Sequence, residues 1–190
     1  MILAFHKPYG IISQFTPKKS GQCTLDDFRF PKNVYPIGRL DLDSEGLLLL
    51  SDEAKWNDLL LHPKHAHERI YHVQVEGQIT DQALAKLEKG MVIQGYKTKS
   101  CKAGHLITET YAPRNPPIRF RKAIPTSWMT LKLIEGKNRQ VRRMTAAVGF
   151  PTLRLIRAAI GELKLGDLKP GTWYALNKEE ITQLLKNPIL

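Results

Sequence analysis

The run Gly46–Ser51, with the sequence GLLLLS, constrains the fold of this chain more than any other stretch. Four consecutive leucines between Gly and Ser are too few for a buried helix, and they favour a strand that is buried on both faces. Such a strand lies inside a sheet and is covered by further layers. The run therefore predicts that this stretch forms a central strand of the fold.

Other stretches are short and apolar or alternate between apolar and polar residues, as strands do. We predict strands in ILAFHKP, in GIISQF pairing back onto it, and in IYHVQVEG, HLITE, WMTLKLI and LRLIR. In IYHVQVEG, the side chains of Tyr71, Val73 and Val75 share one face. Combined with the helices described next, these strands predict an α+β fold with a mixed, largely antiparallel sheet.

Capping residues and apolar periodicity predict the helices. They are a short helix at Leu25–Phe28, one capped by Ser51 and ended by Pro63, one from Thr80 to Lys89, and one capped by Asn138 and ended by Gly149. In the last helix, Val141, Met144, Thr145 and Val148 form a buried stripe. At about 100° per residue, Arg139 and Arg143 point away from this stripe and Arg142 lies on its flank.

The charge of the chain indicates a polyanionic partner. Lys and Arg number 29 against 18 acidic residues, which gives a net charge of +11. The excess is clustered, because six basic residues and no acid occur in 137–157, and four basic residues and no acid occur in 114–122. Such clusters favour nucleic acid or an anionic membrane surface, although a generically basic protein is the alternative.

The compartment follows from the cysteines and the N-terminus. The chain contains only Cys23 and Cys101, which excludes a disulfide framework and a CxxC motif. The N-terminus, MILAFHKPYG, does not resemble a signal peptide, and no apolar stretch approaches the roughly 20 residues that span a bilayer. These observations predict a reducing, cytoplasmic location.

Three acids precede the central strand, at Asp41, Asp43 and Glu45. A carboxylate in this position could be a nucleophile, a ligand of Mg²⁺ or an ordinary solvated loop residue, and the spacing alone does not decide between these roles. The histidines of HPKHAH lack the i, i+4 spacing of a helical zinc site, and we interpret them as exposed loop residues.

Several motifs taken in order resemble one family. HKPYGIISQF, GRLDLDSEGLLLLSDE, RIYHVQVEG and GKNRQVRRMTAAVGFPTLRLIR resemble the motifs of the bacterial pseudouridine synthases that modify ribosomal RNA, in the branch whose founding member acts on the small subunit. The stretch APRNPPIRFRKAIPTSW is similar to that of members acting on 23S RNA of the large subunit. The resemblance extends from about residue 3 to residue 175, nearly the whole chain.

The resemblance implies the architecture and the chemistry. Residues 1–190 would form one catalytic domain of two ferredoxin-like lobes, approximately 1–68 and 69–190, that share a sheet with a central RNA-binding cleft between them. The small RNA-binding module that precedes the domain in many relatives would be absent. The enzyme would isomerise uridine in 23S ribosomal RNA with no cofactor and no metal, and we expect a monomer.

The resemblance also implies roles for individual residues. Asp41 would be the catalytic aspartate, Arg142 its cationic partner, and Tyr71 the residue that stacks on the target base. Arg39 would enter the RNA stack in place of the extruded uridine, and Arg69 stands where the family commonly has Lys. Backbone phosphate would be held by Arg114, Arg119, Arg121, Lys122, Arg139 and Arg143.

Two other functions remain open from the residues alone. An RNA-binding or assembly protein could use the same basic surface without catalysis, and a Mg²⁺-dependent nuclease could use the acids. The Pro-rich stretch RNPPIRFRK is either a reader of the target RNA or a rigid connector. The sequence does not distinguish free RNA from an assembling ribosomal particle as the substrate.

Overall fold

A computed structural model describes residues 1–107, 111–118, 121 and 123–186 of the chain. The strands are β1 (Ile2–Lys7), β2 (Tyr35–Ile37), β3 (Glu45–Ser51), β4 (Arg69–Glu76), β5 (Val92–Ile93), β6 (Tyr96–Lys97), β7 (Lys102–His105), β8 (Thr126–Leu133), β9 (Thr152–Ile160), β10 (Leu163–Lys164) and β11 (Trp173–Ala175). The α-helices are α1 (Lys55–Leu61), α2 (Asp81–Glu88), α3 (Gln140–Ala147) and α4 (Lys178–Leu185), and 3-10 helices occupy Leu25–Phe28 and Pro63–His65.

The chain forms two compact units. The first contains Met1–Glu68 and Ile156–Leu190, and the second contains Arg69–Leu155. The sequence-based division differs from this, because it put residues 156–190 into the second lobe. The physical reason is strand pairing, since the end of β9 runs parallel to β3 and β11 is antiparallel to β1. These pairings return the C-terminal part of the chain to the first unit.

In the first unit, the neighbouring strands are β11, β1, β3 and β9, with β2 also paired to β3 and β10 to β9. All seven residues of β3 are buried, which confirms the prediction of a strand buried on both faces. Leu48 and Leu50 pack in a core with Leu3 and Phe5 of β1. Only the β3–β9 pair is parallel among the pairings described in this unit, so the pairing is mixed and largely antiparallel, as predicted.

In the second unit, β8 lies between β4 and β7 and is antiparallel to both. Tyr71, Val73 and Val75, which the alternation places on one face of β4, are all buried, and His72 on the other face is buried as well. The first three pack with apolar residues of α2 and α3, including Leu87 and Met144. The α+β class predicted from the sequence is therefore confirmed.

Helix α2 begins as predicted, because the Thr80 hydroxyl accepts a hydrogen bond from Ala83 N. The predicted caps of two other helices are wrong. Ser51 is instead the last residue of β3, where its hydroxyl donates to Met1 O at 2.6 Å, and α1 begins after Ala54. Helix α3 begins after Arg139, which adopts a left-handed conformation and makes no capping hydrogen bond.

Two predicted strands also differ from the structure. GIISQF does not form a strand, and its residues instead hold the loop that follows β2, as described below. Within HLITE, only His105 belongs to β7, while residues 108 and 109 lie outside the described part. Within the part of the chain that the structure describes, no helix has the length and apolar character needed to cross a membrane.

Candidate active site

The loop that carries Asp41 connects β2 to β3 in the first unit and is fixed by the segment that follows β1. The Ser13 hydroxyl donates to Leu40 O at 2.8 Å and accepts from Leu40 N at 3.0 Å. Gly10 N donates to Leu42 O at 2.9 Å, and Ser44 N donates to Asp41 O at 3.0 Å, which closes a turn. The backbone on both sides of Asp41 is therefore held, and its carboxylate lies half-buried.

Two basic side chains lie beneath this loop, on the strands beside β3. Lys7 of β1 is opposite Gly46 of β3, and Gly46 is in turn opposite Arg157 of β9. Lys7 and Arg157 are both buried, and a Cβ atom on Gly46 would lie 2.4 Å from Arg157 O. A glycine is required at this position, because any side chain would separate the strands that bring the two cations together.

The pKa of Lys7 departs strongly from its ordinary value. Its Nζ atom donates to Ile11 O at 2.7 Å and to Pro8 O at 3.0 Å. Burial lowers the pKa of Lys7 from 10.5 to about 7, against the opposing attraction of Glu45, Asp43 and Asp41. A lysine that titrates near neutral pH beside three acids is typical of a functional site.

Arg157 is on β9, which lies on the opposite side of β3 from the strand of Lys7. Its Nε atom donates to Leu47 O at 2.7 Å, so this arginine of the basic stretch 137–157 bonds within the fold. Arg39, by contrast, is exposed at the beginning of the loop. This loop thus carries the exposed Arg39 and the half-buried Asp41 and Asp43, and the strands beside β3 carry the buried Lys7 and Arg157.

The second unit carries the other residues assigned to catalysis. Tyr71 is 9% exposed and belongs to the core that also contains Val141 and Met144 of α3. Arg142 lies between these two residues in sequence and is half-buried. The ring of Tyr71 therefore packs mainly as a core residue, and the small exposed fraction is what remains to contact a ligand.

A hydrogen-bond network centred on Glu135 fixes the beginning of α3. The carboxylate accepts from the Tyr96 hydroxyl, from Lys99 N at 2.8 Å and from Gln140 Nε2 at 2.6 Å. Gln140 in turn accepts from Lys137 N at 3.0 Å. These bonds hold the loop that leads into α3, whose first turn has no side-chain capping hydrogen bond.

The basic residues of α3 have different environments. Arg139 is exposed, with φ 51°. Arg143 is half-buried and donates from Nη2 to Asn138 Oδ1 at 2.8 Å. Their predicted contact with phosphate stays a prediction, and Arg139 is the more accessible of the two.

The other predicted RNA-binding arginines of the second unit already have partners within it. Arg114 donates from Nε to Pro116 O at 2.8 Å and from Nη2 to Pro117 O at 3.1 Å. Arg121 donates from Nη1 to Glu76 Oε1 at 3.0 Å. Arg69 is half-buried at the beginning of β4, whereas Arg119 and Lys122 lie outside the described residues.

The histidines of HPKHAH depart from the sequence-based interpretation in one respect. His67 is buried, with its Nε2 atom 3.0 Å from Leu59 O, whereas His62 and His65 are half-buried. In the described residues, no group of three His, Cys, Asp or Glu side chains is arranged to hold a metal ion.

Sequence reasoning missed the residues that support the site rather than those on its surface. Lys7, Ser13 and Arg157 were not singled out in the first unit, nor were Glu135 and Gln140 in the second. Lys7 ends the mainly apolar strand ILAFHK, and this position was the available signal, because a buried amine needs hydrogen-bond acceptors and the turn that follows supplies the carbonyl groups of Pro8 and Ile11.

Comparison with known proteins gives consistent matches. A family model described as RNA pseudouridylate synthase matches residues 1–147. The chain is 47% identical over 172 residues to ribosomal large subunit pseudouridine synthase E of Vibrio parahaemolyticus, which covers 90% of this chain and 72% of that protein. It is 45% identical over 175 residues to the protein of the same name from Xanthomonas campestris. That match covers 91% of this chain and 94% of that protein.

A solved structure supports the same relationship. A crystal structure of a pseudouridylate synthase matches 96% of this chain and 73% of its own chain, with a TM-score of 0.78 and 27% sequence identity. The motifs that carried the resemblance in sequence thus coincide with a match in both sequence and fold.

Proposed function

The chain belongs to the RNA pseudouridylate synthase family, and we propose that it isomerises a specific uridine of 23S ribosomal RNA to pseudouridine. The likeness to the Xanthomonas campestris synthase E carries this choice of substrate, because the match covers 94% of that protein. The net charge of +11 supports a polyanionic substrate. We further propose that the protein acts as a monomer in the cytoplasm, where ribosomal RNA is made.

The reaction is an isomerisation within one nucleotide. The bond from N1 of uracil to C1′ of ribose breaks, the base turns, and a bond forms from C5 to C1′. The proton on C5 is lost and N1 gains one, so atoms and electrons balance without an oxidant or a reductant. The protein must therefore supply a group that assists cleavage at the ribose and a group that accepts the C5 proton.

We assign the first of these tasks to Asp41. Its carboxylate can act as the nucleophile at C1′ or as the base at C2′, and both routes require the ionised form. The anchored loop supports either role, because a held backbone limits the positions that the carboxylate can adopt. The buried side chain of Lys7 also lies close enough to Asp41 for an electrostatic attraction between the two groups.

We assign the remaining tasks at the uridine to three residues. Tyr71 would stack on the extruded base and assist loss of the C5 proton, and Arg142 would supply positive charge that stabilises the catalytic carboxylate. Arg39 would fill the space that the uridine leaves in the RNA stack, because a stacked base cannot reach an active site. The exposure of Arg39 supports this role.

Backbone phosphate would be bound by basic side chains around the site. Exposed Arg139 is the best supported of them, because the Glu135 network fixes the loop that carries it. Arg69 and Arg143 would contribute further positive charge, as would the basic residues of the 114–122 stretch, namely Arg114, Arg119, Arg121 and Lys122. These contacts would be sensitive to salt.

The test uses transcribed 23S ribosomal RNA with tritium at C5 of uridine. The wild-type protein is expected to release tritium with or without a chelator, and Asp41→Asn is expected to release none while retaining RNA affinity. Asp43→Asn, in the same loop, is the matched control and should remain active. Full activity of Asp41→Asn would refute the assignment, and RNA cleavage that a chelator abolishes would favour a nuclease.

A further inference from the structure

A cluster of four side chains in the second unit has no role in the chemistry proposed above. It joins Tyr111 to His72 of β4, Trp128 of β8 and Arg154 of β9. The Tyr111 hydroxyl lies 2.6 Å from His72 Nδ1, and the Tyr111 ring lies 5.4 Å from that of Trp128. His72 and Arg154 are both buried, so this cluster is a built feature and not a chance surface contact.

Arg154 holds the chain at this point in two ways. Its Cζ atom lies 5.7 Å from the centre of the Tyr111 ring, and its Nη1 atom donates to Ala112 O at 2.8 Å. The side chain of Tyr111 and the backbone of Ala112 are therefore both bound to the strands of this unit. A cation above an aromatic ring and a charged hydrogen bond are each stronger when partly shielded from water.

Tyr111 is the first residue of a described segment, Tyr111–Ile118, that has no regular secondary structure. Arg114 closes this segment on itself through its hydrogen bonds to the carbonyl groups of Pro116 and Pro117. Prolines at three of the eight positions also limit the backbone. The segment is thus preformed, although Asn115 and its proline neighbours are exposed to solvent.

We propose that Tyr111–Ile118 is a preformed surface that contacts the substrate RNA, and that Tyr111 is its positioning residue. This inference rests on the proposed function and names the element that selects the target. The exposed Asn115 amide can hydrogen-bond to base edges, which is how polar groups recognise unpaired RNA bases, and the exposed proline rings offer apolar surface beside it. Fixing such a surface in advance reduces the entropy lost on binding.

The charge of the region favours RNA over a protein partner. The stretch 114–122 contains four basic residues and no acidic one. Arg114 is directed inward to the carbonyl groups, so it adds positive potential without being the exposed contact. Asn115 and the prolines would then distinguish the target RNA from other RNA. Tyr111 would contribute only by holding these residues in position.

The test compares steady-state tritium release from 23S RNA by the full-length protein and its variants. Tyr111→Ala is expected to raise KM about tenfold, and Tyr111→Phe, which keeps the ring and loses the bond to His72, about fivefold or less. In both variants kcat at saturating RNA should stay within about twofold of wild type. Asn115→Ala, at an exposed position, should raise KM without changing the melting temperature.

Tyr174→Phe is the matched control, because the Tyr174 hydroxyl donates to Glu180 at 2.8 Å in the other unit. It should leave KM unchanged. A Tyr111→Ala protein with lower kcat and unchanged KM would overturn the inference, as would Asn115→Ala and Tyr111→Ala proteins that match wild type in KM. Absence of tritium release by wild type would instead refute the proposed function itself, and the two failures are thereby distinguished.

Discussion

Lys7 should make the stability of this protein depend on pH in the range from 7 to 9. Its burial lowers the pKa in the folded protein to about 7, from 10.5 in an unfolded chain. Between these values the unfolded chain binds a proton that the folded protein has released. Stability therefore rises with pH across this window, because the cost of burying the charged amine disappears once the amine is neutral.

The size of the effect follows from the pKa values. Well above pH 7, the free energy of unfolding should increase by about 1.4 kcal/mol for each pH unit. The increase is smaller close to pH 7, where the folded protein has lost only part of its proton. The gain from pH 7 to pH 9 should then be about 2 kcal/mol.

The measurement is urea unfolding of wild type and Lys7→Met at several pH values from 7 to 9. The difference between the two proteins isolates Lys7, because other titrating groups contribute equally to both. Burial also raises the pKa of Cys101 and of Tyr174, each to about 12. These two groups therefore change the free energy of unfolding mainly above pH 9. Lys32→Met, at an exposed position, is the control and should show a constant difference from wild type.

A constant difference between wild type and Lys7→Met from pH 7 to pH 9 would refute this reasoning. It would mean that the Lys7 amine remains protonated throughout, held by the carbonyl groups of Pro8 and Ile11 and by the neighbouring acids. A difference that shrinks as pH rises would also contradict it, because the sign of the linkage would then be reversed.

Three further predictions concern the supports of the site. Gly46→Ala should destabilise the protein by about 3 kcal/mol or more in urea unfolding, because its Cβ would meet Arg157 O, whereas Gly21→Ala, with open space, should cost about 1 kcal/mol. Glu135→Ala should cost about 1–3 kcal/mol and raise KM for RNA, because three donors lose their acceptor; an unchanged KM would contradict this role. Arg139→Ala should reduce the slope of log K against log salt in RNA binding by about 1, and an unchanged slope would exclude phosphate contact.

Local patterns in the sequence were sufficient for several elements. The four leucines after Gly46 predicted a strand buried on both faces, and the alternation around Tyr71 predicted that Tyr71, Val73 and Val75 share one face of β4. Thr80 predicted the beginning of α2. In each case the signal lies within a few positions of the chain, either in the spacing of apolar and polar residues or in a single capping residue.

The candidate site was less accessible to such reasoning. Composition and spacing left Asp41 equivalent to its neighbouring acids, and the family resemblance was needed to choose between them. The cap expected at Ser51 failed because α1 begins only after Ala54, although the Ser51 hydroxyl accepts a hydrogen bond from Glu53 N at 3.1 Å. The cap expected at Asn138 failed because α3 begins after Arg139, and the Asn138 side chain accepts from Arg143. A capping residue is recognised from the local sequence, but the residue at which the helix begins is not.

The sequence by itself determined strands β1, β3, β4, β8 and β9, the α2 helix, the basic character of the chain and the motifs of the family. Only the tertiary structure decided that Lys7 is buried between strands, that Arg157 turns inward, and that Tyr111 fastens a proline-rich segment to the second unit. The physical reason is distance along the chain. Arg157 Nε bonds to a carbonyl group 110 residues away, and Tyr111 bonds to a histidine 39 residues away. Burial and charge environment depend on such distant neighbours, which no local pattern specifies.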